Sequence, residues 1–368
     1  MTSTSYKHGG DIDHVSRQFG VAAGDILDFS ANVNPMGLPA RAAQRLAREA
    51  GEARRLLNYP APESPELKDA LSLLLGVGKE CIVIGAGADA LIDAAIRSVK
   101  PQRCLIPVPA FSEYERACQA CDCPTQSIPL SAGFLLSMDD VRRAVPGDLV
   151  ILNNPHNPTG ACIDRGEMLD RIAMIRSCGA SVLVDEAFID YAPAAAITCD
   201  AAKGDGVIAI RSLTKFFGCP GLRVGYAVAA PVTARRLLAQ LPAWPVTTLA
   251  VSALAEALQD GDYARDTLQR NEHARVLLSA ALGDLGCFVF PAAANFLLLR
   301  LPEDSSAIIV RDRLVQEHRI LVRECESFEG LQAGRYLRVA VRSVSDNARL
   351  IEALTNVLGG SSCRQRTV

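Results

Sequence analysis

The chain has 368 residues, 49% of them hydrophobic and 21% charged, with a formal net charge of -3 and a pI near 6.0. That is length and apolar content for two or three compact units, and it excludes the basic footprint of a nucleic-acid binder. An anionic small substrate must therefore be met by a few placed arginines, not by a general positive field.

Residues 1–40 are predicted to form an arm with little helix of its own. The opening MTSTSYKHGGDIDH has no apolar core, so neither a secretory signal nor an anchor is expected. No apolar run is long enough to span a bilayer, and the expected compartment is the cytoplasm. The stretch DFSANVNPMGLP carries Asn, Pro and Gly at turn spacing. From about residue 41, Ala-rich amphipathic segments such as ALIDAAIRSV alternate with short apolar runs. These are CIVIG at 81, CLIPV at 104, DLVILN at 148, SVLVD at 181 and GVIAI at 206. Short runs joined by helices predict an α/β domain with a doubly wound, mostly parallel sheet covered on both faces. After Trp244 the pattern changes. Helical stretches lead to FVFPAAANFLLLRL, ILVREC and YLRVAVRS, which predict a smaller α+β domain. The expected division is an arm at 1–40 packing with the small domain, a large domain at 41–260, a small domain at 261–360 and a frayed tail at 361–368.

The 12 cysteines scatter through apolar segments and suit buried thiols of a reducing compartment. The local group Cys118, Cys121 and Cys123 has no second pair at zinc-finger spacing and no nearby histidine, so no metal is expected.

Ligands of an open parallel sheet sit beyond the C-terminal ends of its strands. After CIVIG comes GAGADA, after DLVILN comes NPHNPTG, SVLVD ends in Asp185, and after GVIAI comes RSLTKFFGCPGLRVGY. Each piece has a chemical use. Gly85, Gly87 and Ala88 precede a helix whose N–H groups can cradle a phosphate. Ser212 and Arg223 flank Lys215 and can complete that cradle. Asp185 can keep a pyridine nitrogen protonated, which makes the ring an electron sink. Asn157 can donate to a phenolate oxygen, Phe111 can stack on the ring, and Lys215 can hold pyridoxal phosphate as a Schiff base. Singly, Lys215 suits a solvated lysine, Asp185 a helix N-cap and NPTG a plain turn. Jointly, in this order, those plain roles are improbable.

Ser212-x-x-Lys215 with Arg223 eight residues on, preceded by NPTG and DEAF, resembles the fold-type I aminotransferases over nearly the whole chain. Within them the chain resembles the threonine-phosphate decarboxylases of cobalamin biosynthesis. HGGDI at 8, DFSANVNP at 28, PAFSEY at 109, VDEAFIDY at 184, RSLTKFFGCPGLRVGY at 211 and RVAVRS at 338 carry that likeness. Histidinol-phosphate aminotransferases are the neighbouring family. They show a Tyr where Phe188 stands and no arginine at the Arg342 position.

The resemblance implies a cofactor site of Gly87, Ala88, Phe111, Asn157, Asp185, Ser212, Lys215 and Arg223, with Lys215 catalytic. Tyr59 is implied to reach the cofactor phosphate of a neighbouring subunit, hence a homodimer with composite active sites. His8, Gly9, Asn32, Asn157, Arg323 and Arg338 match substrate-contacting positions. Ala86 departs from the family, where a polar residue is common. On a strand, Arg338 and Arg342 project from one face, and guanidinium groups suit a substrate carrying a carboxylate and a phosphate. Arg342 is better suited to a salt bridge at the strand end. The implied reaction is decarboxylation of L-threonine O-3-phosphate to (R)-1-aminopropan-2-ol O-phosphate. The alternative is transamination of histidinol phosphate.

Overall fold

The computed structural model describes residues 9–52 and 57–362. His8 and residues 363–368 of the expected tail lie outside the described residues. The chain divides into two compact units: residues 36–157 with 162–267, and residues 1–35, 158–161 and 268–368.

The first strand, β1 (Leu27–Asp28), belongs to the smaller unit. The larger unit holds β2 (Ile82–Gly85), β3 (Arg103–Val108), β4 (Thr125–Pro129), β5 (Asp148–Asn153), β6 (Ser181–Asp185), β7 (Val207–Ser212) and β8 (Gly225–Val228). They form one sheet in the order β2-β8-β7-β6-β5-β3-β4. β8 runs antiparallel to both its neighbours, and the remaining pairs are parallel. The five apolar runs of the sequence are β2, β3, β5, β6 and β7. Side chains alternate along each strand, so the sheet builds two cores. Leu149, Ile151, Leu183, Ile208 and Ile210 face one; Val150, Leu152, Val182, Val184 and Ala209 face the other. Helices Ala88–Val99 and Ser112–Ala120 cover the first face, and Arg165–Ser177 covers the second. This is the doubly wound, mostly parallel arrangement expected.

The smaller unit has β9 (Phe288–Val289), β10 (Phe296–Arg300), β11 (Ile320–Leu321), β12 (Arg323–Glu324) and β13 (Tyr336–Ala340). β12-β13-β10-β9 form an antiparallel sheet, while β1 pairs with β11 in parallel, Leu27 opposite Ile320. Phe29 follows β1 and is fully buried among Leu297, Leu299, Leu337, Val339 and Leu350, a burial that stabilises by about 1.5–3 kcal/mol.

The N-terminal segment differs from the arm expected. It carries an eight-residue helix, Ile12–Phe19. Asp11 caps it by accepting the His14 N–H at 3.1 Å, and Gly20 ends it in the left-handed conformation. Cap chemistry at both ends makes a short helix where apolar content alone does not. Among the described residues no helix is long and apolar enough to cross a membrane.

Candidate active site

In the larger unit, hydrogen-bonded register sets the site. Gly85 pairs with Gly225, Gly225 with Ser212, and Asn153 with Asp185. Four strands therefore bring a glycine turn, a serine, an aspartate and an asparagine to one rim of the sheet.

The glycine turn leads directly into helix Ala88–Val99, whose N-cap is Gly87 at φ 97°. Without a side chain at the cap, the first turn's N–H groups stay open to an anion. A Cβ on Gly87 would lie 2.6 Å from the Asp89 carboxylate and 2.8 Å from the Arg223 guanidinium. Only glycine keeps that space clear. Gly225 is equally constrained, since a Cβ there would meet the Ala88 nitrogen at 2.9 Å. Arg223 itself has a positive φ of 53° and donates to Asp89 at 2.8 Å. The Ser212 hydroxyl lies 2.8 Å from that of Thr214. The Gly87 N–H already bonds the Gly85 carbonyl at 2.8 Å, which holds the turn closed.

Asp185 ends β6 and is buried. Its Oδ2 accepts the Tyr114 hydroxyl at 2.6 Å and its Oδ1 the Ala187 N–H at 2.9 Å. Burial pushes this carboxyl above the ordinary range, while Tyr114, Ala187 and the charge of Lys215 pull it back. The Asp185 carbonyl accepts the Asn153 side-chain amide at 2.8 Å, and the Asn153 carbonyl oxygen accepts the Asn157 N–H at 2.6 Å. Asn157 is thus tied to Asp185 through one intermediate side chain. Phe111 meets Tyr114 edge to face at 5.7 Å, at the start of helix Ser112–Ala120. Lys215 lies in the short helix Leu213–Phe216 and is half-buried. Burial drops the His156 imidazole to about 4, against a hydrogen bond to the Pro109 carbonyl, so it is neutral near pH 7. Behind Asp185, the fully buried Glu186 accepts the Ile197 N–H at 2.6 Å and the Thr198 hydroxyl, and Arg211 pairs with Asp190.

Tyr59 is no core aromatic. It is 78% exposed and stacks on Trp244 with ring centroids 4.6 Å apart.

The smaller unit carries a separate cluster. Arg323 and Arg338 are direct partners across β12 and β13, so both project from one face. Both are buried. Arg338 donates to the Ser30 carbonyl at 3.0 Å and lies over the Phe296 ring at 5.5 Å. Arg323 donates to the Ser327 hydroxyl at 2.7 Å and lies over Phe328 at 5.4 Å. Burial lowers Arg338 to about 10; the charge of Arg323 adds to the fall, while Cys325 and Asp28 oppose it. Burial lowers Arg323 as well. Like charges placed directly opposite one another in a buried setting are costly, and an anion between them relieves that cost.

The arm joins this cluster through Ser30. Its hydroxyl accepts the Gly10 N–H at 2.8 Å and donates to Asp28 at 2.6 Å. Gly9 sits so close that a Cβ would lie 2.1 Å from the Ser30 carbonyl oxygen. Asn32 is 3% exposed, and its Oδ1 has no hydrogen-bond partner. Gly9, Asn32, Arg338 and Arg323 therefore share the smaller unit, while Asn157 belongs to the larger. Arg342 lies past the end of β13, where it pairs with Asp346 at 3.1 Å and donates to the Asp28 carbonyl at 3.1 Å. That is the strand-end salt bridge.

Sequence reasoning missed Tyr114, although PAFSEY places it one helical turn from Phe111. It also missed Asn153, the last residue of β5. Asn295, 1% exposed with both side-chain polar atoms unpartnered, carried no signal beyond its polarity in an apolar run.

Residues 24–354 match the family described as aminotransferase class I and II. The chain is 37% identical to the threonine-phosphate decarboxylase of Salmonella typhimurium over 96% of this chain and 97% of that one. It is 31% identical to the adenosylcobalamin biosynthesis bifunctional protein CobDQ of Leptospira interrogans, over 98% of this chain, and spans 42% of that protein's length. The crystal structure of the histidinol-phosphate aminotransferase from Clostridium acetobutylicum superposes with a TM-score of 0.84 at 26% identity, covering 91% of this chain and 100% of that one.

Proposed function

The chain belongs to the class I and II aminotransferase family, with its fold-type I architecture, and from that premise we propose that it decarboxylates L-threonine O-3-phosphate. The products are (R)-1-aminopropan-2-ol O-phosphate, for the nucleotide loop of cobalamin, and CO2. The enzyme is pyridoxal phosphate-dependent. Its larger unit fits the cofactor: Gly87 keeps the helix N-terminus clear beside Arg223, and a buried aspartate stands within the electrostatic reach of Lys215.

When bound, pyridoxal phosphate supplies an electron sink for the pair left at Cα as the carboxylate departs. Ser212, Arg223 and the amide of Ala88 hold the phosphate at the glycine turn. Asp185 holds a proton on the ring nitrogen, and Tyr114 and Ala187 fix its carboxylate for that work. Asn157 would donate to the cofactor's phenolate oxygen, and Phe111 would pack against its ring. Lys215 would hold the cofactor, and its amine would supply the proton that replaces the carboxylate at Cα. Arg323 and Arg338 hold the substrate's anions with Gly9 and Asn32 beside them, and His8 is assigned there by the family motif. The grip on the carboxylate must be the looser one, because charge leaves that group in the transition state. Tyr59, exposed and braced on Trp244, is assigned to the cofactor phosphate of a second copy, which makes the working form a homodimer.

The observation that carries the choice of substrate class is the direct pairing of two buried arginines. It suits a small molecule with two anionic groups; histidinol phosphate has only one, but its co-substrate 2-oxoglutarate has two, so the 37% identity to a threonine-phosphate decarboxylase is what favours decarboxylation. The test is to incubate the loaded enzyme with L-threonine O-3-phosphate and, separately, with histidinol phosphate and 2-oxoglutarate. Release of CO2 from the first is expected. Glutamate from the second, without CO2 from the first, overturns the proposal in favour of transamination.

A further inference from the structure

Eleven cysteines fall among the described residues, all free thiols, and three of them converge. Cys104 is on β3, Cys118 lies in the last turn of helix Ser112–Ala120, and Cys123 is in the turn before β4. Their sulfurs all lie within 4.8 Å of one another, and all three residues are buried. Among the described residues no other such group of ligating side chains forms. The Cys118 carbonyl accepts the Cys121 N–H at 3.1 Å and the Cys123 N–H at 2.9 Å, and the Pro124 carbonyl accepts the Cys104 N–H at 2.8 Å. One strand–helix–strand crossover thus locks three thiols at one point. The sequence-local trio of Cys118, Cys121 and Cys123 is not the group that forms, because β3 brings Cys104 in and the turn leaves Cys121 outside.

We propose that Cys104, Cys118 and Cys123 form a three-thiolate site for a thiophilic d10 cation, monovalent copper fitting best. Thiolate–metal bonds of about 2.3 Å around a planar three-coordinate ion set the sulfurs about 4 Å apart. The Cys104–Cys123 separation is 3.6 Å, and the whole trio stays within 4.8 Å. Soft thiolates select soft ions. Structural zinc takes four ligands, whereas this cluster offers three sulfurs, which suffice for monovalent copper. Entry is provided: Cys123 lines a surface cavity of about 400 Å³ together with Arg97, Lys100 and Gln240. The same lining holds Asp122, so the cavity carries charges of both signs beside the cluster. On binding, each thiol gives its proton to solvent; copper stays monovalent and no electron is transferred.

The test uses the pyridoxal phosphate-loaded enzyme, given monovalent copper anaerobically against a chelating competitor. One equivalent per chain should be retained, with thiolate-to-copper absorption in the near ultraviolet and three sulfur neighbours at about 2.3 Å by X-ray absorption. Cys118→Ala, and independently Cys123→Ala at the cluster's outer edge, should each lower retention at least tenfold, with the bound cofactor's spectrum unchanged. Cys121→Ala should retain the full equivalent. No retention by the native enzyme, or undiminished retention in both Cys118→Ala and Cys123→Ala, overturns the proposal.

Discussion

The two polar clusters of this chain are built on opposite electrostatic plans. In the larger unit, charge is met by neighbours already in place: Asp185 has a tyrosine hydroxyl, an amide and a lysine, and Arg223 has Asp89. In the smaller unit two buried guanidinium groups face each other across a strand pair, donating to a neutral carbonyl and a neutral hydroxyl. A cradle balanced in advance suits a group that stays bound through many turnovers. Two buried guanidinium groups set side by side, with Glu324 and Asp28 the carboxylates that act on them, suit an anion that arrives and leaves. On the function proposed above, the first cluster takes the cofactor and the second the substrate.

The largest expected effect sharpens the first half of that comparison. Lys215→Ala should abolish turnover and shift the visible absorption of the bound cofactor, read in one spectrum and one assay. Undiminished turnover would remove Lys215 from catalysis altogether.

Next come the arginines. Hydrogen bonds to charged groups are worth roughly 1.5–3 kcal/mol, so Arg338→Ala and Arg323→Ala should each lower kcat/KM at least tenfold. Unchanged kinetics in both would place the substrate anions elsewhere.

Tyr114→Phe should act more subtly, as befits a residue that works through Asp185. Losing the hydroxyl donor raises the proton affinity of a carboxyl that burial already holds high. The active form needs the carboxylate, so the acid limb of the kcat profile should move to higher pH by about one unit, the equivalent of a bond of roughly 1.4 kcal/mol. A limb that stays in place would show that Tyr114 only packs.

The smallest effect belongs to Arg342→Ala. Its half-buried pair with Asp346 sits past the strand end, and such pairs contribute about 1 kcal/mol or less. Thermal stability should fall slightly, with kcat/KM reduced less than about threefold. A loss as large as that of Arg338→Ala would bring Arg342 into the substrate group.

The parts of this design differ in how far they show in a linear sequence. The five apolar runs are legible because short continuous apolar stretches and the polar residues that follow them are local properties. β8 is not: its direction depends on where the chain re-enters the sheet after Arg223. Lys215, Asp185 and Asn157 were legible as strand-end residues, but Tyr114 was hidden, since its hydroxyl meets an aspartate 71 residues away. Arg323 and Arg338 could be named individually, yet their face-to-face placement follows only from the register of β12 on β13. The same holds for Cys104, which joins Cys118 and Cys123 from another strand.

The division of labour between the clusters is tested most directly by a crossed pair of affinities. Pyridoxal phosphate and L-threonine O-3-phosphate dissociation constants would be measured in Gly87→Ala and in Arg338→Ala. Gly87→Ala, whose methyl intrudes between Asp89 and Arg223, should weaken cofactor binding at least tenfold. Arg338→Ala should weaken the substrate by a similar factor and leave the cofactor within twofold of the native enzyme. Loss of cofactor in Arg338→Ala, with native cofactor affinity in Gly87→Ala, would contradict the assignment of both clusters.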